Sequence, residues 1–389
     1  MTTNTGKGSG LKTLEKFREI NRTFPHTAQI EAHKQGGNKV FGFLCTYVPE
    51  EILHAAGILP VRITGYDQET DLDDGNAYLY VNNCSFSRSC FQMGISGEYE
   101  FLDGVVGGST CDGARRLFDV WREYIGTPFH HVISVPRKYT DEALKLYTRE
   151  TVRFQEHLEE FLGIKIPDEK LRESIDIYNE SRRLLRALYD FRKHDAPHIT
   201  GAETMEISNA SYRMPKELFN VWLRDLLDEL ASSDNAYRGR ARLMVVGSVL
   251  TNPEFIASIE QEGGLVVTDE LCTSTRYWGD LVETEGFVTL QEALAYRYLH
   301  NFPCARMFPS DERFDRIIDY VKQFKVDGVV SQIIRYCVPY AHDHPLLSKR
   351  LAAIGIPTLG LDLEYGTSGS GQIATRVQAF LEMIEAKKK

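Results

Sequence analysis

Short apolar runs alternate with amphipathic stretches along most of the chain. KVFGFL (39–44) and LPVRITG (59–65) are apolar runs of strand length. Between them lies VPEEILHAAG, where Pro49, Glu50 and Glu51 make a favourable first helical turn and Gly57 stops the helix. DGVVGGS, from Asp103 to Ser109, reads as a third strand, CDGARRLFDVWREYIG as a helix closed by Gly126, and HHVISVP as a fourth strand. Apolar residues then recur every three or four positions from Asp141 to Leu162, from Asp168 to Lys193 and through KELFNVWLRDLLDEL (216–230), which predicts long helices. The alternation restarts with ARLMVVGS, NPEFIASIEQEGG and LVVTDE. It ends with VDGVVSQI as strand, PLLSKRLAAIG as helix, IPTLGLDL as strand and QIATRVQAFLEMIEA as helix.

The pattern predicts an α/β protein with two parallel-sheet domains joined by a helical bridge. Residues 1–40 form an N-terminal segment, with a helix in LKTLEKFREINRTF and a mobile tip. The first α/β domain is expected over 41–165, the bridge over 166–235 and the second α/β domain over 236–389. A chain of 389 residues, 42% hydrophobic and 26% charged, has room for two cores.

No run approaches the roughly 20 apolar residues that span a bilayer, and the N-terminus lacks the apolar centre of a secretion signal. A cytoplasmic protein without a membrane partner is therefore expected. The net charge of −10 argues against a nucleic-acid partner, which would require a basic face. Seven cysteines in such a chain are expected to be free core thiols, metal ligands or nucleophiles rather than disulfides.

Their placement narrows the options. Cys45, Cys111, Cys272 and Cys337 each follow a predicted strand, where ligands of open parallel sheets bind, and Cys84 in VNNCSFSRSC can reach the same edge. DGVV at 103–106 recurs at 327–330, and each copy precedes a cysteine, Cys111 or Cys337. No close CxxC pair exists, which argues against an ordinary structural zinc site. A cluster held between two domains, mixed core packing and a cysteine nucleophile all remain open at this level. The glycine run GTSGSG (366–371) fits neither GxGxxG nor a P-loop and reads as a strand-to-helix connection.

GFLCTYVPEEILHAAGILPVRITG, VNNCSFSRSC, GVVGGSTCDGARRLFDVW, DELCTSTRYW and VDGVVSQIIRYCVPYAHDHPLLSKRLAAIGIPTLGLDLEYGTSGSGQIATRVQAF resemble, in order, the blocks of the 2-hydroxyacyl-CoA dehydratase and benzoyl-CoA reductase family. The resemblance runs from about residue 41 to 384. Within the family it is nearest to the smaller of the two cluster-carrying subunits of ATP-dependent benzoyl-CoA reductase.

This resemblance implies two flavodoxin-like domains with a 4Fe–4S cluster in the cleft, on Cys84, Cys111 and Cys337. Cys45 is then a fourth ligand or a neighbour of the cluster. A fused double-cubane cluster using further cysteines stays open through Cys272, while Cys90 and Cys304 have no assigned role. Ser109 and Thr110 are candidate donors to cluster sulfur. The implied chemistry is reduction of the benzoyl-CoA ring to a cyclic dienoyl-CoA by single low-potential electrons.

The implied partners are a paralogous cluster-carrying subunit, an ATP-hydrolysing activator with its own cluster, and an aryl-CoA substrate. The absence of a Walker A sequence here agrees with that division of labour. A radical 2-hydroxyacyl-CoA dehydratase subunit and a non-catalytic cluster carrier are the alternatives. Glu51 and His342 are candidate proton donors by their closeness in sequence to cysteines. Their competing assignments are a helix-capping charge and a solvated loop.

Overall fold

The computed structural model describes residues 10–367 and 371–388. The expected mobile tip before residue 10 and residues 368–370 of the glycine run lie outside the described residues. Strands β1 (Val40–Leu44), β2 (Leu59–Arg62), β3 (Gly104–Gly108) and β4 (Phe129–Ile133) form one parallel sheet in the order β2-β1-β3-β4. Strands β5 (Ala241–Gly247), β6 (Gly264–Glu270), β7 (Gly328–Ile334) and β8 (Thr358–Leu363) form a second in the order β6-β5-β7-β8. The two orders are the same, advanced by four. This is the expected α/β architecture with two flavodoxin-like sheets. Strands β1, β3 and most of β5 are buried along their length, as continuous apolar runs predict for sheets covered on both faces.

The DGVV repeat has a structural basis. Asp103 accepts the Val40 N–H of β1 at 2.9 Å, and Asp327 accepts the Arg242 N–H of β5 at 2.8 Å. Each aspartate thus pins the start of a central strand to its neighbour.

Helices Asp141–Leu162, Asp168–Asp190, Gly201–Ala210 and Lys216–Ala231 make the bridge. Thr140 caps the first, and a reciprocal Thr200–Glu203 capping box starts the third. Tyr147, Phe154, Leu185 and Phe219 of these helices share one core with Phe41 and Val106 of the first sheet and Met244 and Val329 of the second. Each such side chain contributes about 1.5–3 kcal/mol on burial, so the bridge holds the sheets together by packing as well as by sequence. The leading helix, Lys12–Thr23, packs on the bridge, with the Phe17 ring 5.6 Å from Phe219 and 5.8 Å from Trp222.

Two helix boundaries differ from the sequence pattern. The helix after β3 runs from Asp112 to Val120 and continues as a π-turn to Ile125 before Gly126, at φ +71°, ends it. The helix after β7 starts at Val338, well before PLLSKR. Pro339 fits its first turn, where no N–H is required, and Pro345 is accommodated inside it. No helix among the described residues is long and apolar enough to cross a membrane.

Candidate metal centre

The carboxyl ends of the two sheets face a common cleft, and the chain leaves the strands there in unusual conformations. Cys45, directly after β1, has φ +87°, and Tyr336, directly before Cys337, has φ +67°. A non-glycine residue in this left-handed region costs of order 1–3 kcal/mol, and such strain clusters at functional sites. At the corresponding end of β5, Gly247 has φ +135°, and a Cβ there would lie 1.8 Å from the Gln332 carbonyl oxygen. Only glycine fits.

Three cysteines occupy helix N-caps. Cys84 precedes the helix Ser85–Ile95, Cys111 precedes Asp112–Val120, and Cys337 precedes Val338–Ala353. The positive ends of three helix dipoles therefore converge on thiols, a setting that stabilises thiolate. The Ala114 N–H donates to the Cys111 sulfur at 3.4 Å, and Cys84 Sγ lies 3.4 Å from Ser87 Oγ. Gly113 lets the first two caps approach. A Cβ at that position would be 2.9 Å from both Asn83 Oδ1 and Ser87 Oγ and 3.4 Å from Cys84 Sγ.

Between the sheet ends is a cavity of about 110 Å³. Six of the seven cysteines line it: Cys45, Cys84, Cys111, Cys272, Cys304 and Cys337. Cys90 is fully buried in the core behind the first sheet and is absent from the cavity wall. Burial, reinforced by Cys84, Cys337 and Cys45, lifts the Cys111 thiol to about 12 despite the Ala114 N–H. Burial, then Cys84, lifts Cys337 to about 12 against hydrogen bonds from Ser248 and the Tyr340 backbone. Burial also raises Cys45. The metal-free thiols at these three positions are thus neutral at neutral pH, and metal binding there must release protons.

Arg62, Arg276 and Arg306 complete the wall. Arg62 donates to the Cys272 carbonyl at 2.6 Å and to the Cys272 sulfur at 3.2 Å. Arg276 pairs through Nε with Glu270 at 2.9 Å, while its Nη1 is buried without a hydrogen-bond partner. Arg306 donates to the carbonyls of Thr110, Pro136 and Val135 at 2.8–2.9 Å. No carboxylate is among the residues lining the cavity.

The candidate proton donors are elsewhere. Glu51 is fully buried, and its carboxylate accepts from Arg182 Nη2 at 2.5 Å and from the Tyr298 hydroxyl at 2.8 Å. Although burial opposes ionisation, the Arg182 and Arg297 guanidiniums outweigh it and lower the Glu51 pKa. Glu51 does not line the cavity. His342 lies on the helix after Cys337, not in a solvated loop, because that helix starts at Val338. It lines an open groove of about 380 Å³ that adjoins the cavity through Thr110, Cys111, Arg306 and Pro339. Thr110 lines both spaces, whereas the Ser109 hydroxyl accepts the Val135 N–H at 3.3 Å. Cys304 and the three arginines had no signal in periodicity or motif; Arg306, two residues after Cys304, and Arg276, four after Cys272, are visible only afterwards as cysteine neighbours.

The sequence profile described as "2-hydroxyglutaryl-CoA dehydratase, D-component" matches residues 45–384. The chain belongs to this family. It is 29% identical over 369 residues to "Putative dehydratase subunit YjiM" of Escherichia coli, covering 90% of this chain and 93% of the relative. It is 28% identical over 353 residues to a benzoyl-CoA reductase subunit of Thauera aromatica, covering 89% and 91%. Identity to "(R)-2-hydroxyglutaryl-CoA dehydratase, subunit beta" of Acidaminococcus fermentans is 23% over 377 residues, covering 95% and 98%. The resemblance drawn from the sequence blocks therefore holds for the dehydratase and reductase family, whose named members are subunits of enzymes.

Does the cavity suit the iron–sulfur cluster that this family implies? Among the described residues, no three His, Cys, Asp or Glu side chains converge tightly enough for a single metal ion. A polynuclear cluster needs thiols spread around a larger volume, and the wall here is thiol-rich, without His or carboxylate. The unpartnered Nη1 of Arg276 adds a buried donor suited to an anionic group. The donor set fits.

Proposed function

We propose that this chain is the iron–sulfur subunit of an enzyme that delivers single low-potential electrons to an aryl-CoA thioester, reducing the ring of benzoyl-CoA to a cyclic dienoyl-CoA. The observation that carries this reading is the convergence of six thiols and three guanidiniums on one cavity between two parallel sheets. Cys84, Cys111 and Cys337, each at a helix N-terminus, would hold a 4Fe–4S cluster, with Cys45 beside them. When bound, the cluster supplies one-electron chemistry at a potential set by burial, charge and hydrogen bonding.

The chain's own residues would do the rest. Phe86, Val249 and Ile334 line the cavity with apolar surface and limit water there. Arg62, Arg276 and Arg306 offset negative charge. His342, which lines the groove beside Cys111, would give a proton from a ring nitrogen to a group bound in that groove. Glu51 fixes the turn after β1 through its pair with Arg182. A paralogous subunit and an ATP-hydrolysing activator complete this scheme, consistent with relatives named as subunits.

One observation favours a second form of the cofactor. Cys272 and Cys304 line the same cavity as the other four thiols, as a fused double cubane requires. Such a cluster would be enclosed by thiols, and the chain would serve chiefly as an electron carrier.

Iron and sulfide content of anaerobically purified protein separates the two forms, with roughly four irons per chain for one cubane and about twice that for two fused. Assay with activator, ATP and benzoyl-CoA should consume reductant with each turnover. Turnover of a 2-hydroxyacyl-CoA without net reductant consumption would instead identify a dehydratase subunit. A colourless, iron-free complex with its partners would overturn the cluster reading.

A further inference from the structure

The charge of the cavity wall is unbalanced. Arg62, 2% exposed at the end of β2, and Arg306, 9% exposed in the loop after Cys304, have no carboxylate within ion-pair distance among the described residues. Arg276 has Glu270, but Glu270 also pairs with Arg313 at 2.6 Å, and Arg313 pairs in turn with Asp343. Arg276 and Arg313 thus take both carboxylates between them, and Arg62 and Arg306 are left without one. Burying cations without counter-charge is strongly unfavourable, so the excess calls for an anion in the cavity.

The two unpaired cations also cross between the halves of the molecule. Arg62 belongs to the first sheet and holds Cys272 in the loop after β6 of the second. Arg306 belongs to the second half and holds the carbonyls of Thr110, beside Cys111, and of Val135 and Pro136 after β4 of the first. Each half thus extends a guanidinium to the loops at the other's sheet edge.

We propose that Arg62 and Arg306 are positioning residues that offset the net negative charge of a thiolate-bound cluster in the cavity while clasping the cysteine-bearing loops of opposite halves. This rests on the reading that an iron–sulfur cluster occupies the cavity. It adds a consequence: a buried cation beside the cluster favours the reduced, more negative state, so removing either charge makes reduction harder.

The test uses full-length protein reconstituted anaerobically as wild type, Arg62→Gln, Arg306→Gln, Arg62→Lys and Arg306→Lys. Iron and sulfide are measured per chain, and the redox titration is followed by electron paramagnetic resonance. At the potential that half-reduces wild type, the glutamine variants should show about a tenfold lower ratio of reduced to oxidised cluster, equivalent to about 59 mV for a one-electron couple. The lysine variants, which keep the charge, should stay within about twofold of wild type. Glutamine variants that load normally and titrate with wild type would overturn the proposal while leaving the cluster reading intact.

If the glutamine variants bind no iron, lysine variants that load, with metal-free melting temperatures equal across the set, support the charge requirement. Failure of the lysine variants too would refute it. Wild-type protein that takes up no iron would remove the cluster reading itself, and this proposal with it.

Discussion

Replacing Glu51 by Gln tests whether this carboxylate, adjacent to the cysteine loop, is structural. Glu51 is fully buried and bonded to Arg182 at 2.5 Å and Tyr298 at 2.8 Å, and the Arg182 side chain is only 5% exposed. Glutamine keeps the shape but removes the counter-charge, leaving a buried guanidinium supported by Asn179 at 3.0 Å and no carboxylate. Breaking a buried pair in this way costs about 3–5 kcal/mol, and glutamine's remaining hydrogen bond places the expected loss near the lower end, about 3 kcal/mol. Urea unfolding of the metal-free protein, compared at equal slope, measures it.

The pH dependence gives a second check. The folded pKa of Glu51 is lowered, so the pair's stabilisation is fully present above the ordinary value of 4.5 and is lost as pH falls through the folded value. The gap between wild type and variant should therefore be constant near neutrality and shrink below about pH 4.5. A stability loss under about 1 kcal/mol, with turnover abolished, would refute the structural assignment and restore Glu51 as a proton carrier.

Gly113→Ala gains about 1 kcal/mol of helix propensity but places a methyl 2.9 Å from Asn83 Oδ1 and Ser87 Oγ. Near-normal urea stability with iron content reduced by half or more is expected, because the strain falls between the Cys84 and Cys111 caps. Cys111→Ser should lower iron per chain while Cys90→Ser leaves it unchanged, since only the first lines the cavity; equal iron in both would contradict the assignment of Cys111 as a cluster ligand. Glu260 is raised to about 7 by burial, even though it accepts the Gly201 and Ala202 N–H groups at 2.7 and 3.2 Å. The folded state then binds the extra proton between 4.5 and about 7, and stability falls as pH rises through that window. Urea midpoints at about pH 5 and about pH 8 should differ less in Glu260→Gln than in wild type.

The periodicity of the chain was enough to place all eight strands and the long bridge helices, because apolar alternation and helical spacing are local properties that survive in any tertiary setting. The placement of Cys111 and Cys337 after equivalent strands was also legible, through the DGVV repeat. The start of the last cysteine-capped helix was not, since Pro345 reads as a boundary until Pro339 is seen to occupy the first turn.

The rest depends on contacts between residues far apart in the chain. Arg62 meets Cys272 across 210 positions, Arg306 meets Thr110 across 196, and Glu51 meets Arg182 across 131. Composition counts these arginines among ordinary surface charges, and no spacing rule marks a guanidinium for burial. Apolar patterning alone carried two parallel-sheet units of similar design and a row of cysteines after their strands, whereas the shared strand order emerged only in the folded chain. Folding decided that six of the seven thiols share one cavity and that its wall carries excess positive charge, because burial and pairing are properties of the packed chain and not of any segment.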